Sequence, residues 1–190
     1  MPLDVSVTVP DDWFFIPVAP GETAALLDAL VDEMVDVAEA RSEIRRGLRA
    51  VAAEAEAANA RFVIGYFDIV EEEPYVVAAN GALSSLPAPE QLQLGMLETA
   101  LRGRDIETEI LDTPGGACLV RRERAGRLLP DTDQLTEVYS AMYYLPSGGE
   151  VIVLSLTTPT MALVDEFSAL FDAIAETIEV SPVPPTPVPT

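Results

Sequence analysis

The strand-like runs of this chain arrive in adjacent pairs joined by short polar turns, and that spacing restricts the fold more than any other feature. Arg61–Val70 (RFVIGYFDIV) leads into Tyr75–Leu83 (YVVAANGAL) across Glu71-Glu72-Glu73-Pro74. Asp105–Leu111 is joined to Ala117–Arg122 by Asp112-Thr113-Pro114-Gly115-Gly116, a strong turn signal. The tyrosine-rich run Leu135–Leu145 turns at Pro146-Ser147-Gly148-Gly149 and comes back as Val151–Leu156 (VIVLSL). Links this short fit antiparallel neighbours, because a parallel pair needs a crossover of about a dozen residues or more. The chain therefore reads as α+β: an antiparallel sheet with helices packed on its faces, rather than a doubly wound parallel sheet.

The remaining elements fit around that sheet. Val5–Val9 alternates and is β-branched, so it reads as a short strand, and Trp13-Phe14-Phe15-Ile16 as a second strand or a buried plug. Over Glu22–Asn59 the apolar residues Leu27, Leu30, Val31, Met34, Ala38, Ile44, Leu48, Val51 and Ala55 recur at helical spacing. One helix of that length would run roughly 55 Å. Two helices are expected instead, with a break around Glu39–Ser42 and a stop at Asn59. Glu90–Leu101 reads as a helix with Leu94, Leu97 and Leu101 on one stripe. Thr158 can cap a last helix with Pro159 in its first position, placing Leu163, Phe167, Leu170, Phe171, Ile174 and Ile178 on one face. After Val180 the sequence SPVPPTPVPT is polyproline-like. One domain over 1–180 is expected, with 22–59 as a helical elaboration and 181–190 as a proline-rich tail.

Two runs, Ser155–Pro159 (SLTTP) ending a strand and Leu170–Ile178 (LFDAIAETI) closing a helix, resemble the Mog1/PsbP-like α/β/α sandwiches. Over Leu135–Val180 the chain also resembles uncharacterised proteins of high-GC bacteria. The long stretch Glu22–Asn59 departs from the short first helix of that group. The resemblance implies a binding protein, assembly factor or secretion chaperone, and it brings no catalytic residues with it.

Composition narrows the chemistry. The chain has no histidine, no lysine and a single cysteine, Cys118. That removes the usual general base near neutral pH, the Schiff-base amine and any Cys/His metal site. No cofactor is expected, since there is neither a P-loop nor a dinucleotide fingerprint. The net charge of −21 would repel nucleic acid and speed encounter with a basic partner. No window approaches a membrane span, no leader pattern is visible, and a cytoplasmic protein is expected.

Several groups stand out as candidate contacts, each with a structural alternative. Glu71, Glu72 and Glu73 could meet a basic partner or simply form a solvated hairpin tip. Asp131 and Asp133 have the spacing that opens some calcium loops, without the glycine and glutamate that complete one. Arg121, Arg122, Arg124 and Arg127 could hold a carboxylate or phosphate, or pair with the chain's own acids at a strand end. Trp13, Tyr139, Tyr143 and Tyr144 could form an aromatic contact surface or pack in the core. Tyr143 and Tyr144 are adjacent in a strand, so they point to opposite faces. Asp11 and Asp12 beside Trp13 could be acids in an apolar setting. Cys118, within ACLV, reads as buried and inert.

The expected function is a non-enzymatic protein-binding or assembly module, a chaperone-like adaptor whose partner is basic or presents an apolar helix. A small hydrolase or isomerase working with Asp, Glu or Tyr is the second reading, and a structural subunit of a larger assembly the third. If the stretch 22–59 projects from the body, it would form a homo-oligomer interface, because its apolar stripe would otherwise face water.

Overall fold

A computed structural model describes residues 3–35, 38–70, 75–103, 106–128 and 135–182. Its strands are β1 (Leu3–Ser6), β2 (Phe14–Pro17), β3 (Phe62–Val70), β4 (Tyr75–Pro87), β5 (Ile106–Thr113), β6 (Gly116–Leu128), β7 (Leu135–Ser147), β8 (Glu150–Thr158) and β9 (Glu179–Pro182). Its helices are α1 (Thr23–Met34), α2 (Ala38–Ala57), α3 (Leu94–Leu101) and α4 (Val164–Ala175). Seven strands form one sheet in the order β2-β3-β4-β8-β7-β6-β5, every pairing antiparallel. The expected α+β architecture is therefore the observed one.

Two meanders build the sheet. β2, β3 and β4 form the first, α3 carries the chain to the far edge, and β5, β6, β7 and β8 step back inward until β8 pairs with β4. At that central seam Gly81 lies opposite Leu156, and a Cβ on it would fall 2.4 Å from the Ser155 carbonyl oxygen. Only glycine allows the two strands to approach so closely. Gly65 is the counterpart near the β2 edge, where the Phe14 ring lies in the space a side chain would need.

Alternation along the strands divides the apolar residues between two cores. One face carries Ile64, Leu83, Val120, Tyr143, Leu154 and Leu156, covered by Phe167, Phe171 and Ile174 of α4. The other carries Phe14, Ile16 and Val63, covered by Leu27 and Val31 of α1 and Ile44, Leu48 and Ala52 of α2. α3 lies against β6. Each large aliphatic or aromatic side chain buried in this way contributes roughly 1.5–3 kcal/mol. The apolar stripe of α1 and α2 is thus spent on the chain's own sheet rather than projecting, so it does not offer the oligomer interface that a projecting stretch would have required.

Several boundaries differ from the sequence expectation for physical reasons. The helical stretch does divide in two, but α1 ends at Met34, several residues before Glu39. Arg41 supplies the break: its Nε and Nη2 donate to the Val35 carbonyl at 3.0 and 2.6 Å, satisfying the end of α1 from the start of α2. Asn59 ends α2 with φ of 49°, the left-handed stop expected of it. Thr158 does not cap α4. Its hydroxyl donates to the Ala78 carbonyl at 2.7 Å and accepts from the Thr160 amide at 3.0 Å. A short 3-10 turn at Met161–Leu163 intervenes, and α4 begins at Val164 with Asp165 and Glu166 in its first turn.

β9 was not expected as a strand. It pairs with β1 in a separate two-stranded sheet, Leu3 opposite Pro182, so both ends of the described chain lie together. Proline fits there because an edge position needs no inward N–H.

Candidate functional site

The groups singled out in the sequence do not form one cluster. β6 separates them by parity. Arg121 points to the sheet face that also carries Tyr144 and Met142, while Arg122 and Arg124 point to the face under α4. Arg121 Nη2 donates to Glu123 at 2.6 Å, and its Nε is buried with no hydrogen-bond partner. Tyr144 donates its hydroxyl to Met142 Sδ at 3.2 Å. Arg127 reaches Glu54 of α2 at 3.1 Å. One side of the strand therefore serves packing and local ion pairs.

The other side opens into a cleft of about 580 Å³ between the N-terminal half of α4 and strands β5 to β7. Glu107, Arg122, Arg124, Tyr139, Asp165 and Ser168 line it. At its base the Arg122 side chain, 13% exposed, donates to both oxygens of Asp172 at 2.7 and 2.8 Å and to Glu109 at 2.9 Å. Burial alone would lower the Arg122 pKa, but hydrogen bonding and charge from Asp172, with Glu109, hold it above an ordinary arginine. Tyr143 is fully buried and donates its hydroxyl to Asp172 at 2.7 Å. Burial, then the neighbouring Asp172 carboxylate, pushes its pKa well above the usual phenol range. Tyr139 bridges β7 to α4 through a 2.7 Å contact with Ser168.

The floor of the cleft is a satisfied structural network, and its mouth is not. The side chains of Arg124, Glu107 and Asp165 make no hydrogen bond or ion pair among the described residues. These are the groups free to meet a ligand. Glu107 and Asp165 were not anticipated, because nothing in sequence shows that β5 and the start of α4 face each other across β6. The missing signal was strand parity at Arg122 and Arg124 combined with the register of the β5–β6 hairpin.

The other candidates have definite places. Trp13 is buried on the α4 side, stacked on Tyr66 at 6.2 Å and edge-on to Phe171 at 6.5 Å. It is core, as is Tyr143. Asp11 and Asp12 sit in an exposed turn before it, so they are not acids in an apolar setting. Cys118 is buried, and desolvation pushes its thiol up to about 12. Glu71, Glu72, Glu73, Asp131 and Asp133 lie outside the described residues. Among the described residues no group of three or more His, Cys, Asp or Glu is placed to hold a metal ion. No described helix is long and apolar enough to cross a membrane.

Comparison with known proteins bears on the architecture alone. No family model matches the chain, and no curated protein matches it. Among solved structures it is similar to LpqN, described as involved in cell envelope biogenesis of Mycobacterium tuberculosis. That match has 14% identity and a TM-score of 0.48 over 95% of this chain and 85% of the other. It is also similar to a cyanobacterial PsbP from Synechocystis, at 13% identity and a TM-score of 0.44 over 94% and 92%. The expected cytoplasmic location is not kept: LpqN is described as involved in cell envelope biogenesis.

Proposed function

We propose that this protein is a non-enzymatic binding module, an adaptor or assembly factor that holds a segment of a partner protein at the α4–β5–β6 cleft. The observation that carries the reading is the division of labour within that cleft. Arg122, Asp172 and Tyr143, at the base of the cleft, are bonded to one another. Arg124, Glu107 and Asp165 stand uncommitted at the mouth, where charge serves recognition rather than proton transfer. The surplus of 32 acidic over 11 basic residues favours a partner carrying positive charge. Both sheet faces already carry cores closed by the chain's own helices, so among the described residues these core faces are not left bare for a client helix.

Affinity capture on the immobilised protein, with washes at low and high salt, tests this. Wild type is expected to retain a stoichiometric partner that Glu107→Arg and Arg124→Glu variants lose. Equal retention by all three would remove the cleft from the reading. Turnover of a substrate by the purified protein would remove the reading itself.

A further inference from the structure

The sheet ends at β5, and among the described residues no strand pairs with its outer side. The opposite edge, β2, is only four residues long and ends in Pro17, which limits its use as a template. β5 is eight residues long and contains neither proline nor glycine (IETEILDT), so its outward N–H and C=O groups form a regular ladder with no partner. We propose that this edge takes an extended segment of a partner protein as an additional strand, one that alternates basic and apolar side chains.

Charge and alternation choose the occupant. Glu107 and Glu109 project to the α4 side of β5, as the pairing of Glu109 with Arg122 shows, and Glu107 lines the cleft. Ile110 projects to the other side and is 57% exposed. A second copy of the chain pairing along this edge would bring Glu107 and Glu109 against the same acids, which is unfavourable. A segment with Arg or Lys facing Glu107 and Glu109, and an apolar residue facing Ile110, satisfies both sides. Main-chain hydrogen bonds would supply affinity and the alternate side chains specificity. This inference rests on the binding-module reading and names where the partner lies.

The chain's lack of lysine makes the test clean, because carbodiimide coupling to an added lysine peptide has no internal lysine to compete with it. The probe is a blocked, fluorescently labelled peptide of about eight alternating lysines and valines, with two versions N-methylated on either the lysines or the valines. Only one set of amides faces β5 in an added strand. One methylated version is therefore expected to bind like the parent and the other at least about tenfold more weakly, since several hydrogen bonds are lost together. Coupling products should map to Glu107 or Glu109. Glu107→Arg should weaken the parent peptide about fivefold with unchanged thermal unfolding.

Equal binding of both methylated versions would mean attraction by net charge alone and would overturn the edge assignment, as would no binding or coupling confined to other elements. A captured partner that couples away from β5 would remove the edge and leave the adaptor reading intact. A peptide seated on β5 with no natural partner captured would do the reverse.

Discussion

Asp172 receives the Arg122 guanidinium and the Tyr143 hydroxyl together, so the three side chains behave as one unit. Asp172→Asn keeps an acceptor for Tyr143 but leaves a mostly buried cation with only Glu109. We expect a loss of about 1–3 kcal/mol in urea unfolding, less than for a fully buried pair because Asp172 is partly exposed. Asp165→Asn, about two turns earlier on the same helix and with no side-chain partner among the described residues, should change stability by less than about 0.5 kcal/mol. Equal effects would show that the network contributes nothing. Cys118 gives a pH prediction. Its folded pKa, about 12, lies above its ordinary 9.0, so burial favours the protonated thiol. The associated stability is complete below pH 9.0 and is lost as pH rises toward about 12. At pH 8 a thiol reagent should label native protein only as fast as the chain unfolds. Rapid labelling of folded protein would contradict the buried placement.

Elements are tuned at their junctions. α1 and α2 are held by ion pairs of Asp28 with Arg49 and of Asp32 with Arg45. The hydrogen bond from Arg49 holds the Asp28 carboxyl below the usual carboxylate range, so this clamp operates at neutral pH and is lost as acid protonates Asp28. At the central seam, Gly81→Ala should destabilise by about 3 kcal/mol in chemical unfolding, because the new methyl meets main chain rather than a flexible tip. A tolerated substitution would mean that β4 and β8 can separate. The pairing of strands was legible in the turns, and the stop at Asn59 and the opposite directions of Tyr143 and Tyr144 were legible in single residues. Other features depended on partners distant in sequence. Arg41 ends α1 only because α2 folds back on it, and β9 exists only because β1 lies beside it. Arg122 and Arg124 join Asp165 only through the β6 register. No local pattern encodes those meetings.

For the whole molecule, local ion pairs and global charge oppose each other. Ten described ion pairs weaken as salt rises, but they are set against a net charge of −21, whose self-repulsion also fades. Exposed pairs contribute about 0–1 kcal/mol each, so repulsion should dominate and Tm should rise between about 20 and 200 mM NaCl. A falling Tm would place the balance with the pairs. The seam between β4 and β8 has a further consequence, for the order of synthesis. β4 emerges early and β8 late, yet they are neighbours at the middle of the sheet. A ribosome releasing this chain holds an open-edged β2-β3-β4 half until α3 and strands β5 to β7 have also been made and β8 follows. The last hairpin and α4 then act as the keystone, and any pause in translation before β8 prolongs the life of an exposed edge.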